Sequence, residues 1–296
     1  MDISPVAIAR SIASMQSQVL GSLFGQSSDN NSDMFSSILS QQIGQGNNSG
    51  TDIASLLSPS GSGNGLSSGG CNPGLFDPKS AYNMMSLINN RDVLYKAQYS
   101  ELNQMKDGVS QMQAAGQCLC NITAATSPDN IKDKIQQFVA QYNDWRVNFG
   151  PDIQQGGLLA NTQAAQVSLY ELEQSIKNIF NGAKDGVHGL SDLGITIDPN
   201  SHLANLDINK LGAMLNSNHQ GAVNAINEFS ANFAKSAGLL NSDNNFIPNQ
   251  LNNLGRAINY IADNKVALTQ EFGTGAPANP TGKVAQALAA YNQTYA

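Results

Sequence analysis

The sequence predicts a mainly α protein: a coiled-coil or helical-bundle stalk with one small β-hairpin subdomain and a disordered N-terminal arm. Three observations lead to this fold class. Apolar residues recur at alternating spacings of four and three over several long segments. Strand-like alternation is confined to one short stretch near the middle of the chain. The first 76 residues are dominated by Ser, Gly, Asn and Gln.

The N-terminal arm, residues 1–76, contains a single basic residue, Arg10, and polar runs such as "SSDNNSD" and "SPSGSGNGLSSGG". Such a composition buries too little apolar surface to offset the entropy that is lost when a backbone is ordered. We therefore expect this arm to be disordered and dispensable for folding, and to matter for export or partner binding.

The first predicted helix, within residues 77–125, carries the longest heptad pattern of the chain. Polar Arg91 and Gln98 interrupt its apolar seam, and polar residues at seam positions typically fix register or partner. This pattern predicts a stalk helix. Its predicted packing residues are Met84, Ile88, Tyr95, Leu102, Met105, Val109 and Met112.

A second helix is predicted after the break "TSPDN", where Ser127 can cap and Pro128 fits the first turn. Gly150 and Pro151 predict its end. Its aromatic seam could in principle cradle a ligand, but rings at heptad positions favour core packing. The packing residues predicted here are Ile131, Ile135, Phe138, Tyr142, Trp145 and Phe149. A third heptad segment follows from Leu158 to a predicted helix stop at Gly182.

The stretch at residues 190–208 predicts the β-hairpin. "DPNS", residues 198–201, has the composition of a type I turn, and Asp207 is expected to cap a helix that starts at about residue 208. A two-stranded hairpin alone is marginal in water, so we expect it to act as a structural clasp covered by the adjoining helices. Its predicted core residues are Leu193, Ile195, Ile197 and Leu206.

Helices are also predicted at residues 222–237 and 247–272, with a short helix in "KVAQALAAYNQTYA" at the C-terminus. The later heptad is expected to pack on the first, with Leu102, Met105 and Val109 facing Leu251, Leu254 and Ile258. The packing residues predicted in this region are Leu254, Ile258, Ile261 and Leu268.

Composition argues against several functional classes. Charged residues make up 12% of the chain and its formal net charge is −7, which disfavours a nucleic-acid binder. No run of eighteen apolar residues occurs, so we expect no membrane span, and the N-terminus lacks the pattern of a Sec signal peptide. Cys71, Cys118 and Cys120 do not form a disulfide framework.

Two motifs imitate ligand-binding loops. "DPNSHLANLDIN" begins like a calcium loop, but Leu203 stands where that loop needs Gly. "GTGAPANPTGK", which ends at Lys283, imitates a phosphate loop, but Pro277 replaces its first Gly and Val284 its Ser or Thr. We interpret the first as an ordinary turn and the second as a linker.

The three histidines, His188, His202 and His219, lack the spacing of metal ligands and are expected to be exposed surface residues. No nucleophile–base pair is evident. We therefore expect no catalytic, cofactor-binding or metal site and no enzyme activity.

Several of these segments resemble flagellar hook-associated protein 2, the filament cap family. "DNIKDKIQQFVAQYND", residues 129–144, and "GLSDLGITID…LDINKLGAMLNSN", residues 189–218, resemble its C-terminal region. "LTQEF", residues 268–272, is similar to its terminal coiled coil, and residues 80–115 to its N-terminal stalk helix. The large outer domains of the family are missing, because only "ITAATSPDN" separates the first two helices.

The resemblance implies a stalk built from both parts of the chain and a ring of subunits at the filament tip, beneath which flagellin inserts. We accordingly expect a stalk helix in 77–125, a cap-like region in 126–272, and a flexible linker with a short helix in 273–296. The implied function is a secreted, non-enzymatic, homo-oligomeric flagellar subunit, exported without a Sec signal. Its implied partners are flagellin or other axial proteins and an export chaperone. The alternative is an intracellular or export-associated protein that uses a cap-like stalk to bind flagellin, cap or chaperone.

Overall fold

A computed structural model of the chain describes residues 78–179 and 185–295. The predicted arm at 1–76, Cys71 and the helix stop predicted at Gly182 lie outside these residues.

The described residues form a mainly α fold with one small antiparallel hairpin, as predicted. The seven helices of these ranges are α1 (Pro78–Leu119), α2 (Pro128–Ile153), α3 (Gln163–Lys177), α4 (Ile208–Ser217), α5 (His219–Leu240), α6 (Phe246–Phe272) and α7 (Gly282–Tyr295). The hairpin strands are β1 (Ile195–Ile197) and β2 (Ala204–Leu206). Within the described part of the chain, none of the helices is long and apolar enough to cross a membrane.

Two helix starts lie where side-chain capping predicts them. Ser127 Oγ accepts a hydrogen bond from the backbone N–H of Asn130 at the start of α2. Asp207 accepts from the N–H groups of Asn209 and Lys210, both at 3.0 Å, at the start of α4. Each cap satisfies backbone donors that have no partner inside the helix.

The predicted end of α2 at Gly150 and Pro151 is wrong. The helix continues to Ile153 with Pro151 inside it. Pro151 removes the hydrogen bond that its N–H would give to the Val147 carbonyl. Val147 is on the exposed face of the helix, with 60% of its surface accessible, so water can serve that carbonyl instead.

The hairpin pairs Ile195 with Leu206 and Ile197 with Ala204. Its loop is longer than the predicted four-residue turn. It is closed by bonds from the His202 N–H to the Asp198 carbonyl and from the Asp198 N–H to the Leu203 carbonyl, both 2.9 Å. His202 has φ of 58°, a left-handed conformation that is uncommon for a residue with a side chain.

The chain divides into two compact units. One contains, among the described residues, 90–259 and 278–295, and its core is formed by α1, α2, α3, α4, α5, the hairpin and the first part of α6. The other, here called the small unit, contains residues 78–89 and 260–277 of the part of the chain that the structure describes. The core of the small unit is built from Met85, Leu268 and Phe272, with Met84 and Ile88 partly buried against it.

The segment after α6 was expected to be a flexible linker, but its first part is hydrogen-bonded within the small unit. The Asn89 side chain donates to the carbonyls of Thr274 at 3.0 Å and Ala276 at 2.9 Å. Ser86 Oγ accepts from the Ala276 N–H at 2.7 Å. These bonds fix a stretch that composition alone presents as a loop.

Candidate functional site

The predicted seam of α1 is mostly buried. Leu102, Met105 and Val109 have no exposed surface and Met112 has 1%. Tyr95 is only partly buried against the same core. The part of the seam from Leu102 to Met112 therefore belongs to the interior of the larger unit, whereas Met84 and Ile88 belong to the small unit.

The predicted packing residues of α2 are all buried. Phe138 lies edge-to-face with Phe229 at 5.2 Å and with Phe233 at 5.1 Å between ring centroids, both in α5. Such geometry is favourable between aromatic rings. These rings pack on one another. The other buried members of this seam are Ile131, Ile135, Tyr142, Trp145 and Phe149.

The predicted packing residues of α6 are divided between the two units, because the boundary lies between residues 259 and 260. Leu251 and Leu254 lie in the same buried core cluster as Leu102, Met105 and Val109. Ile258 is 4% exposed but lies outside that cluster. Ile261 and Leu268 are buried and belong to the small unit.

The hairpin is covered on its apolar face. Leu193 and Ile195 are at most 1% exposed, and Ile197 and Leu206 are partly buried against the main core. This burial supports its interpretation as a clasp.

Asn143 of α2 joins the hairpin to the helix, a contact that the sequence gives no sign of. Its amide nitrogen donates to the Ala204 carbonyl at 2.9 Å, and its amide oxygen accepts from the Ala204 N–H at 2.7 Å. One side chain thus satisfies both backbone groups of a residue in β2.

The His202 side chain is 40% exposed, as expected of a surface residue, but His202 also makes contacts that the sequence does not indicate. Its Nδ1 lies 3.0 Å from Oε2 of Glu173 in α3, and its carbonyl accepts a hydrogen bond from the Tyr142 hydroxyl at 3.3 Å. Glu173 also pairs with Lys177. The loop is therefore tied to α2 and α3. His188, by contrast, has a side chain that is 55% exposed.

Hydrogen bonds lower the pKa of two carboxyl groups at or near the hairpin loop, those of Glu173 and Asp198. Burial alone would raise the pKa of Glu173, but its bonds with Lys177 and His202 hold that pKa below the ordinary value. Bonds from the N–H and hydroxyl of Ser201 and from the N–H of Asn200 lower the pKa of Asp198. Oδ1 of Asp198 thus accepts hydrogen bonds within its own turn, as in an ordinary turn residue.

A second polar cluster joins α1, α2 and α7. Lys283 Nζ lies 3.2 Å from Glu101 Oε1 and 3.3 Å from Asp152 Oδ2. The two carboxylate side chains are only 3% and 9% exposed. Lys283 is the last residue of "GTGAPANPTGK", which is interpreted above as a linker. Its contacts with Glu101 and Asp152 were therefore not predicted. A charged residue directly beside a seam leucine, as Glu101 is beside Leu102, is the signal that could have indicated them.

Burial and the neighbouring Asp152 carboxylate raise the pKa of Glu101. Burial alone would lower the pKa of Lys283, but the two carboxylates raise it above its ordinary value. Lys283 is therefore ion-paired with two buried carboxyl groups, those of Glu101 and Asp152. All three groups are engaged with one another, which suits attachment of α7 and not proton transfer to a substrate.

Within residues 78–179 and 185–295, no three His, Cys, Asp or Glu side chains are grouped as metal ligands would be. Cys118 and Cys120 are free thiols.

No known protein-family model matches the chain, and searches of characterised proteins and of solved structures find no significant match.

Proposed function

We propose that this chain is a secreted, non-enzymatic structural subunit of the bacterial flagellum, related in plan to the filament cap, that assembles with copies of itself through its helices. The support for a flagellar role is the resemblance of residues 129–144 and 189–218 to the cap family. The implied partners are flagellin or other axial proteins, with an export chaperone before secretion.

The observation that supports assembly is the small size of the apolar core in the small unit. Its core of Met85, Leu268 and Phe272 is small for two helical segments that are far apart in the chain. Val266 is 72% exposed and Tyr82 50% exposed in the same unit. Helices with so little burial of their own gain stability when equivalent helices of other subunits cover their apolar residues.

Light scattering on the purified protein tests assembly. We expect oligomers that dissociate in Val266→Glu, because a carboxylate would be buried in the contact between subunits. Gln270→Glu is the matched control, since it adds the same charge to an exposed position on α6 and should leave the mass unchanged. A wild-type protein that stays monomeric at every concentration contradicts this mode of assembly.

The cellular location tests the flagellar role. The proposal requires the protein on purified filaments or in the culture medium. If it is found only inside cells, bound to flagellin, cap or chaperone, the alternative function of an intracellular binding protein replaces it.

A further inference from the structure

The C-terminal helix α7 lies in a groove of the larger unit and has few apolar contacts there. Ala287 is its buried residue, in a small cluster with Ala97 and Leu158. Leu94 and Val284 are partly buried against this cluster. By itself a 14-residue helix is marginal in water, so α7 depends on the groove for its structure.

Polar and aromatic contacts make the groove selective for this helix. Tyr291 and Tyr295 pack edge-to-face on Tyr99 of α1, with centroids 5.9 and 5.4 Å away. The Tyr295 hydroxyl accepts a hydrogen bond from the Asn103 side chain at 2.6 Å. The contacting residues of α7 form one stripe at intervals of four: Lys283, Ala287, Tyr291 and Tyr295.

Charge complementarity is the strongest part of this selectivity. Glu101 and Asp152 are both buried, and Lys283 is the cation that pairs with both. The Lys283 side chain is 45% exposed, but its removal would leave the two buried carboxyl groups without a cation, which is unfavourable. A helix that fills the groove therefore needs a lysine in its first turn and a small residue four positions later.

The connection to α7 is suited to releasing it. Residues 278–281 include no buried residue. Gly282, at the start of α7, has a positive φ of 56°, and a Cβ at this position would meet no atom within 4 Å. Glycine adopts this and other conformations at little cost, so the direction of the chain can change there without loss of packing.

We propose that this groove also receives the C-terminal helix of a second copy of the chain, so that two copies exchange α7. This inference rests on the proposed self-assembly and specifies one contact for it. Every contact of α7 is re-formed in the exchanged pair, so exchange costs little beyond the entropy of association. The stripe that fits the groove is supplied by an identical chain.

Charge reversal in two separate chains tests the exchange. In Lys283→Glu the helix is repelled by its own groove, and in Glu101→Lys the groove repels its own helix. Mixed together, the chains can form an exchanged dimer in which one groove has the wild-type pair and the other has the reversed pair. Both chains also carry Val266→Glu, which removes assembly through the small unit. In this background we expect each variant alone to lack the exchanged dimer and a 1:1 mixture to give a mass close to twice that of one chain by light scattering.

Lys235→Glu is the matched control, because it makes the same charge change at an exposed position on α5. Because Lys235→Glu keeps both the groove and the helix of the wild type, it should form the exchanged dimer by itself, whereas Lys283→Glu alone should not. A mixture of the two charge-reversal variants that behaves as the sum of its parts refutes the exchange, provided circular dichroism shows both to be helical.

If Glu101→Lys does not fold, peptide binding decides. A fluorescent peptide of residues 279–296 should bind full-length Lys283→Glu, whose own helix is displaced, at least tenfold more tightly than the peptide carrying the same Lys283→Glu change. Equal binding of the two peptides, or none, refutes the proposal.

The two proposals fail in different ways. If wild-type oligomers respond to Val266→Glu while the charge-reversal mixture does not dimerise, the exchange is refuted and the proposed function stands. If the mixture dimerises while Val266→Glu has no effect on wild-type association, assembly through the small unit is refuted and the exchange stands.

Discussion

At the scale of single residues, Gly116 determines how closely α1 approaches α5. A methyl group on its Cα would lie 2.8 Å from Cδ1 of Phe233, which is fully buried. The Gly116 carbonyl also accepts a hydrogen bond from Ser230 Oγ at 2.6 Å. The backbone of α1 is itself part of this helix contact, so position 116 has no room for a side chain.

We expect Gly116→Ala to destabilise the fold by about 1–3 kcal/mol, because the added methyl group overpacks a filled site. The matched control is Gly212→Ala in α4, whose nearest neighbour atom is Lys132 Cε at an ordinary 3.5 Å. It should be neutral or stabilise by up to about 1 kcal/mol, as alanine favours helices over glycine. Urea unfolding followed by circular dichroism compares the two, and equal effects would contradict the packing of Gly116.

The Glu173 carboxylate is expected to make stability depend on pH. Its pKa is lower in the folded than in the unfolded protein, so its ion pairs stabilise the fold above the unfolded value of about 4.3. That stabilisation is lost as the pH falls through the lowered folded value. We expect Glu173→Gln to be less stable than wild type by about 1–3 kcal/mol at pH 7, with the difference shrinking below about pH 4.

Urea unfolding at pH 7, 5 and 3 measures this difference. Glu171→Gln is the control, since Glu171 is on the exposed side of α3 and should show neither effect. A deficit in Glu173→Gln that is the same at all three pH values would mean that the charge is not its cause.

At the scale of helices and strands, the features that could be predicted from the sequence are those that depend on residues close together in the chain. Heptad spacing identified the long helices, and the caps at Ser127 and Asp207 were predictable because a cap involves residues two or three positions apart. The contacts of Asn143 with Ala204, of Glu173 with His202 and of Lys283 with Asp152 were not, because the two residues of each contact lie at least 29 positions apart along the chain. Such contacts depend on how helices pack, which periodicity does not specify.

The clasp predicts a sharp difference between two neighbouring positions in β1. Ile195 is 1% exposed, whereas Thr196 is on the opposite, exposed face of the strand. We expect Ile195→Asp to lose several kcal/mol, since it buries an unpaired charge, and to lose assembly with it. Thr196→Asp should stay within about 1 kcal/mol of wild type. Thermal unfolding distinguishes them, and tolerance of Ile195→Asp would contradict the clasp.

At the scale of the whole molecule, the two compact units differ in how much apolar surface each buries. The larger unit has an extended core that includes Phe138, Phe229 and Phe233, whereas the small unit has Met85, Leu268 and Phe272. Local opening is easiest where buried apolar contacts are few. The stability of the chain is therefore expected to be uneven along its length.

Hydrogen exchange measures this difference directly. For the dissociated protein, we expect amides of residues 80–89 and 262–272 to exchange at least tenfold faster than those of residues 135–149, after correction for intrinsic rates. Assembly through the small unit should slow its exchange, and Val266→Glu should reverse that protection. Equal protection of both units in the dissociated protein would show that the small core is sufficient by itself.

The contact between Asn143 and Ala204 has a consequence for how the protein avoids aggregation. The outer edge of a strand presents unpaired N–H and carbonyl groups, to which a strand from another molecule can add. The Asn143 amide occupies both of these groups on Ala204, at 2.7 and 2.9 Å, much as the peptide group of an additional strand would. The outer edge of β2 is thereby covered at Ala204 by a side chain, and a foreign strand would have to displace Asn143 before it could pair there.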